Sequence, residues 1–495
     1  MNFFKQYGMR IIFLGCIALL SFVTSDCTKK NTNGGATTTT TPTPPPVTPV
    51  TPVKSDVEFW LTQANQSVLF KKQSVNLVFE NSAGSASSTI EVDTTQTYQS
   101  IDGFGYCLTG GSATLINSLP ASTQNDLLNE LFRSDSTFIG VNYLRISIGA
   151  SDLSATTFTY DDMPAGQTDP TLQQFSIEKE RQDLIPVLKK ILAINPNIKI
   201  LGSPWSAPTW MKTNNAFVGG SLKPEYYAAY AQYFVKYIQA MKAEGIPIDA
   251  ITIQNEPLHG GNNPSMVMQA TEQAAFVKNN LGPAFRSASI NTKIIVWDHN
   301  CDNPQYPITI LNDADAKQYV DGSAFHMYSG SITALSTVHN AYPEKNLYFT
   351  EQWTGGPGNF AGDLKWHVQN LIIGATRNWS KNVLEWNLAA DPNYQPHTNG
   401  GCTTCMGALT ISSTVSRNVS YYVIAHASKF VRTGSVRVGS TQTSNLLSVA
   451  FKNPEGKKVL IVLNTASAAE AFNIKFNGKT VTTSLNGGAV GTFVW

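Results

Sequence analysis

The feature that most constrains this chain is a regular alternation of short apolar segments with helical segments between Ile101 and Ala390. Eight short runs rich in apolar and β-branched residues recur there, and each ends in polar or aromatic residues. These runs are residues 100–105, 141–149, 198–206, 250–256, 294–300, 323–328, 347–353 and 383–388. Strand and helix alternating eight times over roughly 300 residues predict an α/β fold, a parallel (β/α)₈ TIM barrel.

Helical periodicity between the runs supports the barrel. Residues 122–131, 226–243 and 271–279 carry apolar residues at helical spacing. A doubly wound sheet would place a Gly-rich phosphate turn after its first strand, but the segment Gly103-Phe104-Gly105 has no third glycine and starts no helix. We therefore interpret it as a bulged strand end and assign residues 91–426 to the barrel.

Residues on both sides of the barrel predict a second, all-β domain. Residues 57–61 and 75–79 alternate between apolar and polar and are expected to form two strands within 55–90. Five further strands are predicted within 427–495, at 435–438, 446–451, 459–463, 471–476 and 480–484. Because the two early strands have no partners of their own, we expect them to join the later ones in a β-sandwich built from both chain ends.

The N-terminal segment predicts export. Lys5 and Arg10 precede an apolar run at 11–23, which is shorter than the ~20 residues of a membrane span and typical of a secretory signal. We assign residues 1–27 to a signal peptide that ends at Cys27, the place where a bacterial lipoprotein carries its acylated cysteine. Asp26 departs from the pattern, which has a small residue immediately before that cysteine. Ordinary signal cleavage near the same place is the alternative. Residues 28–54 are rich in Thr and Pro and predict a linker. The expected location is the bacterial cell surface or periplasm, with a lipid anchor as the only contact with the membrane.

Composition narrows the class of ligand. The net charge is +1, only 14% of residues are charged, and 10% are aromatic. Such a chain lacks the basic field that nucleic-acid binding requires. We expect a neutral polar ligand such as a polysaccharide or oligosaccharide, no cofactor, and a monomer.

Two glutamates end the fourth and seventh predicted strands. The fourth run ends in Thr252-Ile253-Gln254-Asn255-Glu256-Pro257, and the seventh in Phe349-Thr350-Glu351-Gln352-Trp353. The glutamates lie 95 residues apart, or three βα units of about 30 residues, so both should face one mouth from opposite sides. A single glutamate there could simply cap a helix, but two at matched strand ends predict glycosidic bond cleavage by a pair of carboxylates.

Other chemistries have weaker support in the sequence. Cys402-Thr403-Thr404-Cys405 has metal-ligand spacing but no second Cys or His pair, so a disulfide is the better interpretation in an exported protein. We assign His299 and Cys301 to loop packing and predict no metal site. No Gly-x-Ser-x-Gly elbow occurs in the barrel segment. A non-catalytic carbohydrate-binding surface protein and a structural lipoprotein remain as alternatives to a glycosidase.

The motifs together resemble glycoside hydrolase family 30, a retaining family, over nearly the whole chain from about Val57 to Trp495. They are 101–105 (IDGFG), 145–149 (RISIG), 203–211 (SPWSAPTWM), 254–257 (QNEP), 325–328 (FHMY), 385–387 (EWN) and the passage 421–438. The resemblance implies Glu256 as acid/base and Glu351 as nucleophile. It further implies that Arg145 and Tyr328 bind Glu351, Asn255 holds the sugar 2-hydroxyl, His326 reaches substrate or carboxylate, and Trp205 and Trp386 are sugar platforms. Trp353 and Trp210 are weaker platforms, because a lone tryptophan more often packs in the core.

The resemblance also bears on the substrate. The family includes enzymes acting on glucosylceramide, glucuronoxylan and β-1,6-glucan. The loop at 391–399 contains no Arg or Lys that could pair with a uronate branch. Gly110 follows Thr109, where glucosylceramide-cleaving relatives have an aspartate, and 109–113 resembles the β-1,6-glucanase branch. An endo-β-1,6-glucanase on pustulan-like glucan is therefore expected, with β-glucosidase, glucosylceramidase-like and β-xylanase activity as alternatives.

Overall fold

A computed structural model of the protein describes residues 54–495. The predicted signal peptide, Cys27 and all but the last residue of the predicted linker lie outside the described residues. None of the described helices is both long and apolar enough to cross a membrane.

Eight parallel strands close into a barrel, as the sequence predicted. Each predicted run overlaps one of them, and each strand hydrogen-bonds to the next, with the last pairing to the first. In chain order the strands are Gly103–Cys107, Tyr143–Ser147, Lys199–Ser203, Ala250–Thr252, Lys293–Cys301, Val320–Gly330, Asn346–Glu351 and Ser380–Asn387.

Helices surround the barrel. The α-helices are Gly110–Asn117, Ala121–Phe132, Leu184–Ile194, Tyr227–Ala243, Ala270–Phe276, Gly282–Ser287, Gln305–Asn312, Ala314–Lys317, Ala334–Ala341, Phe360–His367 and Val419–Ser428. Two π-helical segments, Val277–Leu281 and Val368–Ala375, continue α-helices, and short 3₁₀ turns occupy Glu178–Arg181, Thr209–Met211 and Pro224–Tyr226. Their apolar faces pack on the barrel in one continuous core.

Gly105 explains the glycine-rich sequence of the first barrel strand. A Cβ atom at this position would lie 1.9 Å from the carbonyl oxygen of Tyr143 on the neighbouring strand. Only glycine therefore allows the first two strands to approach this closely.

The second domain is a β-sandwich assembled from both ends of the described chain. Its strands, in hydrogen-bonded order, are Lys71–Lys72, Glu58–Thr62, Val490–Val494, Lys458–Asn464, Leu446–Lys452, Val436–Ser440, Ser88–Ser100, Glu470–Phe476 and Lys479–Leu485. Short strands beside the barrel mouth are Thr354–Gly355 with Cys405–Met406, and Ala389–Ala390 with Leu409–Ile411 and Val415–Arg417.

The strand Ser88–Ser100 crosses the predicted domain boundary at residue 90. Its first residues pair in parallel with 472–475, and its later residues pair antiparallel with Val436–Ser440, so it joins the two halves of the sandwich. The barrel begins only at Gly103. At the other end, the helix Val419–Ser428 runs through the predicted boundary at 426.

Residues 75–79 do not form the predicted strand. The Leu77 amide donates to the Ser55 hydroxyl at 3.0 Å, and the Phe79 amide donates to the Asp56 carboxylate at 2.9 Å. Because side chains satisfy these amides, the segment makes no backbone ladder, and Val75 remains exposed. The strand Lys71–Lys72 pairs with Glu58–Thr62 instead.

The sandwich strand Lys458–Asn464 is buried on both faces. Val459, Ile461 and Leu463 belong to the core shared with the barrel, whereas Leu460 and Val462 belong to the core inside the sandwich. This alternation follows the two-residue period of a strand. The two domains are therefore joined by a continuous apolar core.

Candidate active site

The barrel places the predicted site residues at one mouth. Arg145 lies in the second strand, His326 and Tyr328 lie in the sixth, and Glu351 is the last residue of the seventh. Asn255 and Glu256 follow shortly after the fourth strand. Because all eight strands are parallel, these positions lie at the C-terminal end of the barrel, where functional groups collect in this fold.

Glu256 has a left-handed backbone conformation, with φ of +45°. Its amide donates to the Asp298 carbonyl at 2.9 Å, and its own carbonyl accepts from the His259 amide at 2.8 Å. These bonds fix a tight turn at the strand end. A non-glycine residue in this conformation is strained, and such strain often accompanies functional sites.

The two glutamates face each other closely. One carboxylate oxygen of Glu256, one of Glu351 and one ring nitrogen of His326 lie within 4.8 Å of one another. The Glu351 side chain is 7% exposed and that of Glu256 is 13% exposed. Carboxyl groups about 5–5.5 Å apart are typical of retaining glycosidases, whereas inverting ones need about 6.5–9.5 Å for a water molecule.

Both oxygens of Glu351 accept hydrogen bonds. The buried Arg145 guanidinium donates to Oε2, and the Tyr328 hydroxyl donates to Oε1 at 2.9 Å. Arg145 also donates to Oδ1 of Asn255 at 2.6 Å. Because this oxygen faces Arg145, the amide nitrogen of Asn255 is left to donate elsewhere.

Asp298 is a site residue that the sequence analysis missed. It is fully buried in the fifth strand and accepts hydrogen bonds from the Arg145 guanidinium at 2.8 Å and from three hydroxyl groups. These hydroxyls belong to Ser203, Thr252 and Thr350, at 2.8, 2.7 and 2.6 Å. The signal lies within the predicted fifth run, as a carboxylate in an otherwise apolar strand.

His326 lies between the carboxylates. Its Nδ1 is 3.1 Å from Oε1 of Glu256, and its Nε2 is 3.1 Å from Oδ1 of Asp298. Burial alone would lower the pKa of His326, but Glu351, Asp298 and Glu256 outweigh burial and raise the pKa to about 9. His326 is therefore an imidazolium at neutral pH and donates through both nitrogens.

The charges of the cluster affect each carboxylate differently. Burial would raise the pKa of Asp298, but Arg145 and His326 hold it well below its ordinary range. Burial would also raise the pKa of Glu256, but the hydrogen bond and charge of His326 lower it. Burial raises the pKa of Glu351, an effect that the charges of His326 and Arg145 oppose. The cluster therefore holds three carboxylates and two cations, Arg145 and His326. Its net negative charge favours the binding of one further proton.

A cavity of about 420 Å³ opens above the carboxylates. Three tryptophans line it: Trp205, Trp353 and Trp386. Trp205 and Trp386 are largely buried, with ring centres 5.4 Å apart, and the Arg145 guanidinium lies 4.7 Å from the ring centre of Trp205. Trp353, which the sequence analysis ranks as a weaker platform, also lines the cavity and is less buried than the other two tryptophans. Trp210 does not line the cavity; it is buried and donates to the Asp161 carbonyl.

Polar residues complete the cavity wall. They are Asp152, Asn255, His259, Asn262, His299, Asn300 and Tyr328. His299, which the sequence analysis assigned to loop packing, is thus part of the wall, where burial lowers its pKa to about 4 and keeps the ring neutral. Cys301 and Cys107 are free thiols buried away from solvent.

Asp152 is a second residue that the sequence analysis missed. It follows the second strand, is buried in the cavity wall, and accepts from the Cys402 amide at 3.3 Å. Burial and the negative charge of Glu351 raise the pKa of Asp152 to about 7. Its position after an ordinary Gly-Ala-Ser segment gives little sequence signal.

The loop after the eighth strand forms one side of the cavity. A disulfide joins Cys402 and Cys405, whose Cα atoms are 5.7 Å apart, and both residues line the cavity. Gly110 does not line it, and a Cβ atom there would lie 3.0 Å from the Ser154 hydroxyl. The glycine that distinguishes this sequence from the glucosylceramide-cleaving relatives therefore lies outside the cavity wall.

Glu256, His326 and Glu351 are close enough to be considered as metal ligands. However, both His326 nitrogens face carboxylates, both Glu351 oxygens accept from Arg145 and Tyr328, and the two cations already offset most of the negative charge. This donor set favours acid–base and nucleophilic chemistry by the two carboxylates.

A (β/α)₈ barrel with two facing carboxylates in a tryptophan-lined polar cavity defines a glycoside hydrolase. Family models agree and are more specific. The glycosyl hydrolase family 30 TIM-barrel domain matches residues 101–431, and the family 30 beta sandwich domain matches residues 434–493. The chain belongs to glycosyl hydrolase family 30.

Relatives in this family differ in their named activities. An endo-1,6-beta-D-glucanase of Aspergillus fumigatus is 38% identical over 397 residues, which cover 74% of this chain and 79% of the relative. The lysosomal acid glucosylceramidase of Mus musculus is 29% identical over 400 residues, covering 75% and 76%. A solved structure of an endo-beta1,6-glucanase superposes with a TM-score of 0.83 at 35% identity, covering 89% of this chain and 99% of that one.

Proposed function

We propose that the protein cleaves β-glucosidic bonds with retention of configuration, with Glu351 as nucleophile and Glu256 as acid/base. The observation that carries this assignment is the approach of the two carboxylates within 4.8 Å, which leaves no room for a water molecule of the inverting mechanism. The surroundings divide the roles. Hydrogen bonds from Arg145 and Tyr328 to both oxygens of Glu351 hold this carboxylate in place for attack, and the charge of Arg145 opposes the rise in its pKa that burial causes.

The reaction then proceeds in two displacements. Glu351 attacks the anomeric carbon while Glu256 gives its proton to the leaving oxygen, and a glycosyl ester forms on Glu351. A sugar in the cavity excludes water from Glu256, and desolvation favours the protonated form that an acid needs. Glu256 next removes a proton from water, and the water oxygen attacks the anomeric carbon to release the sugar and restore Glu351.

The cavity supplies the sugar contacts. The free amide nitrogen of Asn255 is placed to donate to the 2-hydroxyl, because Arg145 occupies its oxygen. Trp205, Trp353 and Trp386 line the cavity, and their aromatic rings suit the apolar face of a pyranose. The wall also offers the polar groups of Asp152, His259 and Asn262 to hydroxyls.

We propose a β-1,6-glucan as the substrate and internal bonds as the points of cleavage. The named activities of the 38% identical Aspergillus fumigatus relative and of the 35% identical solved structure support this substrate. The cavity wall supports a neutral polymer, because no Lys or Arg is among the described residues that line it, and a uronate branch would find no cation there.

The experiment that tests the substrate is digestion of pustulan, a β-1,6-glucan, by the purified chain, with chromatography of the products over time. Short oligosaccharides such as gentiobiose should appear early and keep their anomeric configuration when followed by NMR. Curdlan, a β-1,3-glucan, is the control and should remain intact. Release of glucose alone from aryl glucosides, hydrolysis of glucosylceramide, or xylooligosaccharides from xylan would each overturn the glucanase assignment.

We further propose that the chain is exported, acylated at Cys27 and held at the bacterial cell surface or periplasm, where it acts as a monomer. The apolar run at 11–23, the position of Cys27 and the Thr/Pro-rich segment that follows support this location. Mass spectrometry of the mature N-terminus should find a lipid-modified Cys27. An unmodified residue at the mature N-terminus would contradict the anchor.

A further inference from the structure

Asp298 lies at a β-bulge in the fifth barrel strand. Trp297 and Asp298 have left-handed backbones, with φ of +74° and +67°, and the register with the sixth strand shifts between Trp297 and His299. Two consecutive non-glycine residues in this conformation are strained, and bulges redirect side chains beside active sites. The bulge turns the Asp298 carboxylate into the barrel, where the regular pleat would not direct it.

The two oxygens of Asp298 have separate partners. Oδ2 accepts from Arg145, Ser203 and Thr252, and Oδ1 accepts from Thr350 and faces His326. Asp298 contacts neither glutamate side chain directly among the hydrogen bonds of the described residues. It acts on both through other residues: on Glu351 through Arg145, and on Glu256 through His326.

We propose that Asp298 is a positioning residue that keeps His326 as an imidazolium directed at Glu256, and thereby sets how readily Glu256 gives up its proton. The hydrogen-bonded chain runs from Asp298 Oδ1 through Nε2 and Nδ1 of His326 to Glu256 Oε1, with 3.1 Å at each end. The imidazolium donates to the carboxylate that Glu256 becomes after protonating the leaving oxygen. This inference rests on the proposed acid/base role of Glu256.

Several charged and titratable groups face His326 besides Asp298. They are Glu256 after the fourth strand, His299 in the fifth, Tyr328 in the sixth, Glu351 in the seventh and, through Asp298, Arg145 in the second. Asp298 differs from the two glutamates because its side chain is fully buried, and Arg145 and His326 hold its pKa well below the ordinary range. It therefore remains an anion throughout the pH range of the enzyme, whereas each glutamate changes its charge during the reaction.

The test compares Asp298→Asn with the wild type. Loss of the anion should lower the pKa of His326 by about one unit or more, since an opposite charge in contact shifts a pKa by that amount. The alkaline limb of kcat against pH on pustulan should move to lower pH by the same amount. At the pH optimum kcat should fall by about 100-fold with a smaller change in KM, because Arg145 and His326 lose their alignment.

Thr252→Val is the matched control, because it removes one hydroxyl donor to Asp298 but leaves the carboxylate and His326 in place. Its alkaline limb should coincide with that of the wild type. A limb that moves equally in both variants would show a general loss of packing and would overturn the proposal.

NMR titration of the full chain labelled in histidine tests the proposal without turnover. The His326 signal is identified by its absence in His326→Gln, and it should titrate above pH 8 in the wild type and lower in Asp298→Asn. A midpoint at or below about 6.5 in the wild type, the ordinary value for histidine, overturns the proposal even where Asp298→Asn does not fold. Because this measurement needs neither the glucan nor Glu256 catalysis, failure of the proposed function would leave it unaffected.

Discussion

At the scale of single residues, the two glutamates differ in their partners rather than in their chemistry. The Glu351 carboxylate accepts hydrogen bonds from a guanidinium and a phenol. The Glu256 carboxylate contacts an imidazole through one oxygen and lines the cavity. Identical side chains thus acquire different roles from their surroundings. This difference leads to distinct expectations for the two substitutions.

Glu351→Gln should lose about 10⁴-fold or more in kcat on any substrate, because the amide cannot form the glycosyl ester. Glu256→Ala should retain its first step on an aryl glucoside with a good leaving group, which needs little protonation, but should hydrolyse the ester slowly. Added azide should then restore turnover and yield the β-glycosyl azide, measured by chromatography. Rescue of Glu351→Gln with the β-glycosyl azide as product, together with rescue of Glu256→Ala with the α-glycosyl azide as product, would reverse the two assignments.

At the scale of elements, the sequence predicts what depends on burial and misses what depends on backbone pairing. The eight barrel strands were predictable because strands covered on both faces are apolar throughout. Ser88–Ser100 was missed because most of its side chains are polar and exposed, and its ladder hydrogen bonds leave no pattern in the sequence. The same limit applies to the site: Glu256 and Glu351 could be predicted from the strand ends, but the orientation of Asp298 depends on a bulge that has no signature in the sequence.

The loop after the eighth strand reaches across the mouth to two other loops. The Thr398 amide donates to the Asp152 carbonyl at 2.8 Å, and the Asn263 side chain donates to the Asn399 carbonyl at 2.8 Å. Asn263 follows the fourth strand, on the opposite side of the barrel. The disulfide Cys402–Cys405 lies where this loop returns to the cavity wall. The loop thus links the wall to both Asp152 and the acid/base side.

We therefore expect the Cys402→Ser, Cys405→Ser double variant to bind substrate more weakly. Loss of about 1 kcal/mol of preorganisation corresponds to a KM about fivefold higher on β-1,6-oligosaccharides. The free energy of unfolding should fall by about 2 kcal/mol or less, because the loop that the disulfide closes is short. Asn393→Ala, at an exposed position in the same loop, is the control and should keep the wild-type KM. An unchanged KM in the double variant would exclude a role of the disulfide in shaping the wall.

At the scale of the whole molecule, the barrel and the sandwich share their core through a buried histidine. His426 lies in the helix Val419–Ser428, and its ring nitrogens are each 2.8 Å from a hydroxyl of a sandwich strand, Thr62 on one side and Thr492 on the other. No carboxylate partner of His426 occurs among the hydrogen bonds and ion pairs of residues 54–495. Burial lowers its pKa to about 3, so the ring is neutral in the folded protein.

This histidine should make the joined domains less stable in acid. An unfolded histidine binds a proton below about pH 6.5, whereas His426 in the folded protein does so only near pH 3. The unfolded state therefore binds more protons between these values. The contribution of neutral His426 to the free energy of unfolding is fully present above about pH 6.5. It decreases by about 1.4 kcal/mol for each pH unit as the pH falls from there toward 3.

His426→Gln keeps a polar group of similar reach but cannot take up this proton. Urea unfolding at pH 7.5 and pH 5 should show that the wild type loses about 2 kcal/mol more than the variant over this interval, since the interval extends about 1.5 units below the pKa of an unfolded histidine. Between pH 7 and 8 both proteins should change in parallel, because His426 is neutral there in the folded and the unfolded states. Equal losses at pH 5 would mean that water or local opening reaches His426, and that the contact between barrel and sandwich is looser than its buried hydrogen bonds imply.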